Sequence, residues 1–237
     1  MNECEELMAK ALQQGRLSLL EPEAKRICSL HHIPTPKSLI IKTREEVKGG
    51  AQEIGFPAVL KIVSPQIIHK TDVGGVVLNI RDEKELVAAY DQLLVEIKRR
   101  VPSAEIVGVM LERMMPPSIE IIMGGIRDHQ FGPAVMLGMG GIFAEVYNDV
   151  TFRVAPIDRN DALRMMGELK GSKVLRGARG SPPADAESIA GALTQVSDLM
   201  MAHESIDQLD LNPVLAYPDG ICAVDTRIIL RQPGGGP

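Results

Sequence analysis

The chain is 237 residues long, 45% hydrophobic and 3% aromatic, with a formal net charge of −5. That hydrophobic share is enough for the core of one large domain or two modest ones. The acidic balance and the shortage of rings exclude a nucleic-acid groove, which needs a basic stripe and stacking platforms. No apolar run approaches the roughly 20 residues that span a bilayer, and the start MNECEELMAK is too acidic for a signal peptide. Cys4, Cys28 and Cys222 are odd in number and far apart, which suits a reducing cytoplasm better than a disulfide framework or a zinc site.

In chain order, residues 3–14, closed by Gly15, predict a first helix. A second starts near Ser18 or Glu21, where Pro22 suits a first helical position, and runs to about His32. His31-His32 has the form of a metal-binding pair, but no third ligand is near in sequence, so it reads as a solvated helix end before Pro34. Leu39 to Lys42 predicts a short strand. Thr43-Arg44-Glu45-Glu46 has the form of a capping box opening a helix to about Ile54. Ala58–Val63 and Val76–Ile80 are β-rich runs joined through Gly74-Gly75, and they predict an antiparallel pair. Asp82 caps a long helix to about Arg100, with Leu86, Val87, Tyr90, Leu93, Leu94 and Ile97 on one face.

Ile106 to Leu111 predicts the next strand, ending on Glu112. Met114-Met115-Pro116-Pro117 forms a stiff break, and Ile119 to Met123 resumes as a strand carrying Glu120. Phe131 to Leu137 follows, then Gly138-Met139-Gly140-Gly141-Ile142-Phe143-Ala144-Glu145. Thr151 to Val154 is a short strand and 158–170 a helix. A Gly/Arg-rich loop leads to an amphipathic helix from Asp185 to Ala202. Two strands, Gln208–Ala216 and Ile221–Asp225, close the chain around a turn at Tyr217-Pro218-Asp219-Gly220, and the tail QPGGGP reads as flexible.

Common nucleotide and hydrolase signatures are missing. There is no GxxxxGK[ST] loop, no GxSxG and no HExxH, and Gly138-Met139-Gly140 lacks the last glycine of GxGxxG because position 143 is Phe. A nucleotide would therefore need another scaffold. Lys61 lies in the most apolar strand, either snorkelling to water at its end or, with Lys70 and Gly74-Gly75 close by, meeting a phosphate. Glu112 and Glu120 are surface ion-pair partners or hydrogen-bond acceptors for a nucleoside. Period-two alternation sends Asp210 and Asn212 to one face of their strand, and Pro213 biases Asn212 toward an extended backbone. With Asp225 on the partner strand, this is either an Asn-Pro turn beside an edge carboxylate or a pair of hard oxygen ligands for Mg²⁺ and its phosphates. His69 is an ordinary loop histidine or a nucleophile toward phosphorus, with Asp72 placed to orient its ring.

Together, Lys61, the run His69-Lys70-Thr71-Asp72-Val73-Gly74-Gly75-Val76, Glu112, Glu120, Phe131-Gly132-Pro133, Gly138 to Phe143, Arg179-Gly180 with Pro183-Ala184-Asp185, and Leu209-Asp210-Leu211-Asn212-Pro213 are informative. The order resembles the ATP-grasp β subunit of ADP-forming acetyl-CoA synthetases, over nearly all of residues 10–230. The resemblance implies an α+β ATP-grasp fold in which two α/β lobes clamp a nucleotide. Its divisions would be an N-terminal helical segment 1–21, a smaller lobe 22–110, a larger lobe 111–230 with the Mg²⁺ site, and a flexible tail 231–237.

The resemblance also implies roles. ATP or ADP is the substrate and Mg²⁺ the cofactor. Lys61 and Lys70 contact phosphates, Glu112, Met115 and Glu120 hold the nucleoside, and Gly74, Gly75, Gly140 and Gly141 border the phosphates or a docking phosphohistidine loop. Asn212 and Asp225 bind the metal, Asp210 lies close to the transfer site, and His69 relays the phosphoryl group. The partner would be a CoA-binding α subunit carrying a phosphohistidine, in a cytoplasmic α2β2 hetero-oligomer without nucleic acid or membrane. At 237 residues no CoA-binding Rossmann domain is expected in this chain. Gln208 departs from the acidic residue expected two places before Asp210. Two other readings are a free-standing ATP-grasp carboxylate–amine ligase and a regulatory ATP-grasp module of a protein acetyltransferase system.

Overall fold

The computed structural model describes residues 2–141, 148–178, 180 and 182–232, and in it the chain forms two units, each built on its own antiparallel sheet. Ile142, Phe143, Ala144 and Glu145 of the glycine-rich run, Arg179 and most of the QPGGGP tail lie outside the described residues.

One unit comprises Leu20–Pro22 and Pro36–Pro116. Its strands β1 (Ser38–Ile41), β2 (Ala58–Val63), β3 (Val76–Ile80) and β4 (Gly108–Arg113) lie in the order β1-β4-β2-β3. The expected β2–β3 pair is present, with Lys61 opposite Val76. Alternation along the strands sorts the side chains between two faces. Ala58, Leu60 and Ile62 of β2 join Val109 and Leu111 of β4 in an apolar cluster with helices α3 (Glu46–Ile54) and α4 (Glu83–Arg100). Val59, Lys61, Met110 and Glu112 take the opposite face. Helix α4 begins as read from the sequence, the Asp82 carboxylate accepting the Glu85 N–H at 2.8 Å. Helix α3 begins later, at Glu46 rather than Thr43. Its Glu46 carboxylate turns back to accept the Lys42 N–H at 2.7 Å, and residues 43–45 stay outside the helix. Strand β4 continues through Glu112 instead of ending on it.

The other unit comprises Met1–Leu19, Glu23–Thr35 and Pro117–Pro237. Its six-stranded sheet has the order β10-β8-β5-β6-β7, with β9 paired to another part of β8. The strands are β5 (Ile119–Asp128), β6 (Gly132–Met139), β7 (Val150–Val154), β8 (Ile206–Tyr217), β9 (Gly220–Ala223) and β10 (Thr226–Leu230). Strand β10 is an addition to the sequence reading: after Asp225 the chain folds back along the first half of β8, setting Arg227 opposite Asp210. Helices α1 (Glu3–Gln13), α2 (Glu21–Leu30), α5 (Arg159–Glu168), α6 (Ser172–Leu175) and α7 (Ala186–Ala202) are the others, α6 being a short turn within the loop after α5.

The N-terminal helices divide differently from the sequence expectation. Met8 and Ala11 of α1 and Ala24, Ile27 and Cys28 of α2 are buried in the same apolar cluster as Ile121, Met123, Leu193 and Leu211. Burying those two helical faces draws residues 2–19 and 23–35 into this unit, rather than leaving them as a separate segment and part of the smaller lobe. The boundary between units falls after Pro116, not at residue 110. Among the described residues, no helix is long and apolar enough to cross a membrane.

Candidate functional site

Lys61 sits in β2 with only 5% of its surface exposed, and its Nζ donates a hydrogen bond to Oε1 of Glu21 at 2.8 Å. Glu112 Oε1 lies 3.3 Å from the same ammonium. The strand register explains this second contact: Val59 faces Glu112 and Lys61 faces Met110, so Lys61 and Glu112 are diagonal neighbours on one face. Lys70 Nζ approaches the other Glu21 oxygen at 2.8 Å, as an ion pair rather than an aligned hydrogen bond. Lys61 therefore does not snorkel, and Glu112, 1% exposed, is not a surface ion-pair partner. A buried ammonium without a counter-charge is costly enough to neutralise itself, so the cluster needs its carboxylates. Glu21 is the residue that sequence reasoning missed. Its only sequence signal was a place beside Pro22 at a helix start, which says nothing of a lysine forty positions on.

Lys70 reaches the sheet because the loop after β2 folds down upon it. The Gly75 N–H donates to the Lys70 carbonyl at 2.6 Å. A Cβ at Gly75 would stand 2.6 Å from Ile62 Cγ2 and 2.9 Å from the Lys70 oxygen, closer than carbon atoms approach. Gly74 ends a 3₁₀ turn (Thr71–Val73) with φ of 68°. His69 is exposed beside Lys70. Among the described residues no hydrogen bond joins its ring to the Asp72 carboxylate; what Asp72 offers is its carbonyl, which accepts from Arg100 Nη1 at 3.5 Å. The expected orienting role of Asp72 is thus not seen. Met115 follows β4, half-buried.

In the other unit, Glu120 of β5 meets the glycine run after β6. The Gly140 N–H donates to the Glu120 carbonyl at 2.8 Å, and a Cβ at Gly140 would lie 2.8 Å from the Glu120 Cβ. Glu120 itself is exposed, and its Oε2 lies within 3.5 Å of where Gly141 would carry a Cβ. Asp210 and Asn212 are exposed on one face of β8, with Leu209 and Leu211 buried on the other, as alternation predicted. The Asn212 N–H donates to the Asp225 carbonyl at 3.2 Å, and the Val224 N–H to the Pro213 carbonyl at 3.0 Å. The backbones of the two metal candidates thus pair where the chain leaves β9 for β10. Asp225 Oδ1 accepts the Thr226 N–H at 3.1 Å.

Asp210 lines a cleft of about 200 Å³ together with Gln208, Arg227, Gly124 and Gly125. Although the residue is exposed by area, the cleft walls desolvate its carboxyl and raise its pKa, against the lowering pull of Arg227.

Residues 10–230 match the family described as the ATP-grasp domain. The chain is 46% identical over 225 residues to the β subunit of acetate–CoA ligase [ADP-forming] I of Pyrococcus furiosus, covering 95% of this chain and 97% of that one. It belongs to the ATP-grasp β subunits of ADP-forming acetate–CoA ligases. Two solved structures of Candidatus Korarchaeum cryptofilum dinucleotide-forming acetyl-coenzyme A synthetase 1 are similar to this β subunit. One, in complex with coenzyme A, Ca-AMPCP and HgCl⁺, has a TM-score of 0.94 at 49% identity and covers 97% of this chain and 100% of that one. The second holds coenzyme A and Mg-AMPPCP, with its phosphohistidine segment pointing towards the nucleotide binding site. Its TM-score is 0.86 at 45% identity, over 97% of this chain and 100% of that one. The two antiparallel sheets of this β subunit are those of the ATP-grasp fold, which accounts for a nucleotide family with no P-loop and no GxGxxG.

Proposed function

We propose that this chain is the nucleotide-binding, phosphoryl-transferring subunit of a cytoplasmic, hetero-oligomeric α2β2 enzyme. It would catalyse acyl-CoA + ADP + phosphate ⇌ acid + CoA + ATP with a CoA-binding α subunit that carries a phosphohistidine. The observation that carries the reading is the convergence of Lys61 and Lys70 on the two oxygens of one buried carboxylate, each at 2.8 Å. Two ammonium groups held on a pair of anionic oxygens are the donor set that a phosphate demands. Nucleotide analogues bound to the Korarchaeum enzyme support the same assignment.

Lys61, Lys70 and the backbone at Gly74 and Gly75 bind phosphate, with Glu112, Met115 and Glu120 holding the nucleoside and Gly140 and Gly141 bordering the phosphates. Asn212 and Asp225 suit Mg²⁺: an amide carbonyl and a carboxylate are hard oxygen donors, and the backbones that carry them are hydrogen-bonded to each other. When bound, the ion supplies charge neutralisation to the phosphates. His69, neutral, attacks the phosphorus carried by the partner's histidine. The P–N bond to the partner breaks as that to His69 forms, and an ADP oxygen then takes the phosphoryl group and releases His69. Asp210 lies near this transfer.

The test is to combine the chain with a CoA-binding partner and follow acid-dependent ADP formation. The His69→Ala variant should lose at least about 1,000-fold in turnover while binding Mg-ADP as the parent does. Full synthesis by that variant would remove the relay. Absence of Mg-ADP binding in calorimetry would remove the nucleotide role.

A further inference from the structure

Cys4, His31 and His203 come together in the unit built on the six-stranded sheet, far from one another in sequence. Each offers one ligand atom, and these atoms all lie within 4.8 Å of one another. The two Nε2 atoms are 3.0 Å apart, with the rings nearly perpendicular at 81°. Cys4 and His203 are buried and His31 is half-buried, which leaves a way in from solvent. None of the three has a role in the phosphoryl-transfer site.

The backbone holds every one of these side chains in place. Cys4 is the second residue of α1, whose start is fixed by a reciprocal capping box between Asn2 and Glu5. His31 follows α2, which closes in a Schellman motif: the Ile33 N–H bonds to the Cys28 carbonyl and the His32 N–H to the Ser29 carbonyl, with His32 at φ 59°. His203 caps α7, its carbonyl accepting from Arg127 Nη2 at 3.1 Å. Three rigid helix ends converge.

We propose that Cys4, His31 and His203 form a binding site for a borderline-soft divalent cation, Zn²⁺, that clips α1 to the ends of α2 and α7. A tetrahedral zinc ion with N and S ligands at 2.0–2.3 Å sets its ligand atoms about 3.3–3.6 Å apart. The two nitrogens, 3.0 Å apart, need to part by a few tenths of an ångström, and the Cys4 sulfur, within 4.8 Å of both ligand atoms, has to close in by up to about 1.2 Å to reach that edge length. On binding, the Cys4 thiol proton leaves to solvent and the thiolate sulfur takes the metal. The imidazole that donated between the two Nε2 atoms moves its proton to Nδ1, so both Nε2 lone pairs face the ion. A water completes the four ligands.

The test uses the full chain, reduced, with Co²⁺ or Zn²⁺ as the sole probe. One equivalent of Co²⁺ should give a thiolate-to-cobalt charge-transfer band that is absent from Cys4→Ser. Zn²⁺ at about 100 times its Kd should raise Tm by roughly 5–10 °C. His31→Asn, at the half-buried position, should fold as the parent does and weaken the metal at least about tenfold; it carries the test if Cys4→Ser does not fold. A parent chain with no thiolate band, a band that survives in Cys4→Ser, or a Tm indifferent to Zn²⁺ would overturn the proposal.

Discussion

Lys61 and Glu21, forty residues apart, meet through a 2.8 Å hydrogen bond with both side chains almost wholly buried. With Glu112 at 3.3 Å and Lys70 on the second Glu21 oxygen, positive and negative charges balance inside one unit of the fold. Removing the Lys61 ammonium takes one counter-charge from Glu112 and from Glu21 in a low-dielectric setting, while Lys70 stays on the second Glu21 oxygen. Lys61→Met is therefore expected to destabilise the chain by about 3–5 kcal/mol, as truncating one partner of a buried pair does. It should also abolish nucleotide binding. The double variant Lys61→Met/Glu21→Leu should cost less than the sum of the singles, because each change removes a partner of the other. Urea unfolding of the three variants decides the matter; additive costs would show that the ion pair is not a coupled unit.

Gly75 admits no side chain. Ala at this position would press a methyl against Ile62 and the Lys70 carbonyl, displacing the loop that carries Lys70 and His69. A loss of about 1–3 kcal/mol is expected from overpacking, together with weaker Mg-ADP binding. Unfolding curves and calorimetry on Gly75→Ala should show both effects, and unchanged nucleotide affinity would separate this loop from the phosphates.

For the metal candidates, Asp225→Asn is the conservative probe, since it preserves the backbone hydrogen bond to Asn212. Mg²⁺-dependent ADP affinity should fall at least about tenfold, with the metal-free affinity and Tm unchanged. Titration with and without Mg²⁺ separates these outcomes. An equal loss in both would assign Asp225 to the nucleotide instead of the metal.

Asp210 carries a pH signature. Its folded carboxyl holds a proton to higher pH than an unfolded aspartate, because desolvation in the cleft outweighs the pull of Arg227. The folded state thus binds more protons than the unfolded one over that interval, and stability declines as pH rises from about 3.9, the unfolded value, through the raised folded value. Asp210→Asn removes this dependence. The variant should be more stable than the parent near neutral pH, and the difference should disappear below about pH 3. Tm measured against pH checks the sign; a variant less stable at neutral pH would mean that the Arg227 contact dominates.

Much of the fold was legible from local pattern. The Ala58–Val63 and Val76–Ile80 pair, the Asp82-capped helix, the amphipathic helix up to Ala202 and the outward Asp210-x-Asn212 alternation all follow from spacings of two or four residues. The adjacency of Asn212 and Asp225 was legible too, because Asp225 ends the stretch that folds back on Asn212. Strand β10 was not, since Thr226–Leu230 pairs with a part of β8 that the sequence had already given a partner. Nor was the unit to which α1 and α2 belong, because an amphipathic helix declares that it has an apolar face and not which sheet will cover it.

The sequence by itself determined most of the elements, the family and the residue types able to handle a phosphate, because periodicity, capping and motif order act over a few positions. The tertiary structure alone decided that Glu21 would neutralise Lys61 and Lys70, and that His31, read as a solvated helix end, would find His203 and Cys4. Both outcomes come from burial: once side chains from distant segments leave water together, each charge and each lone pair must be satisfied by whatever the fold brings beside it, and no local spacing records that neighbour.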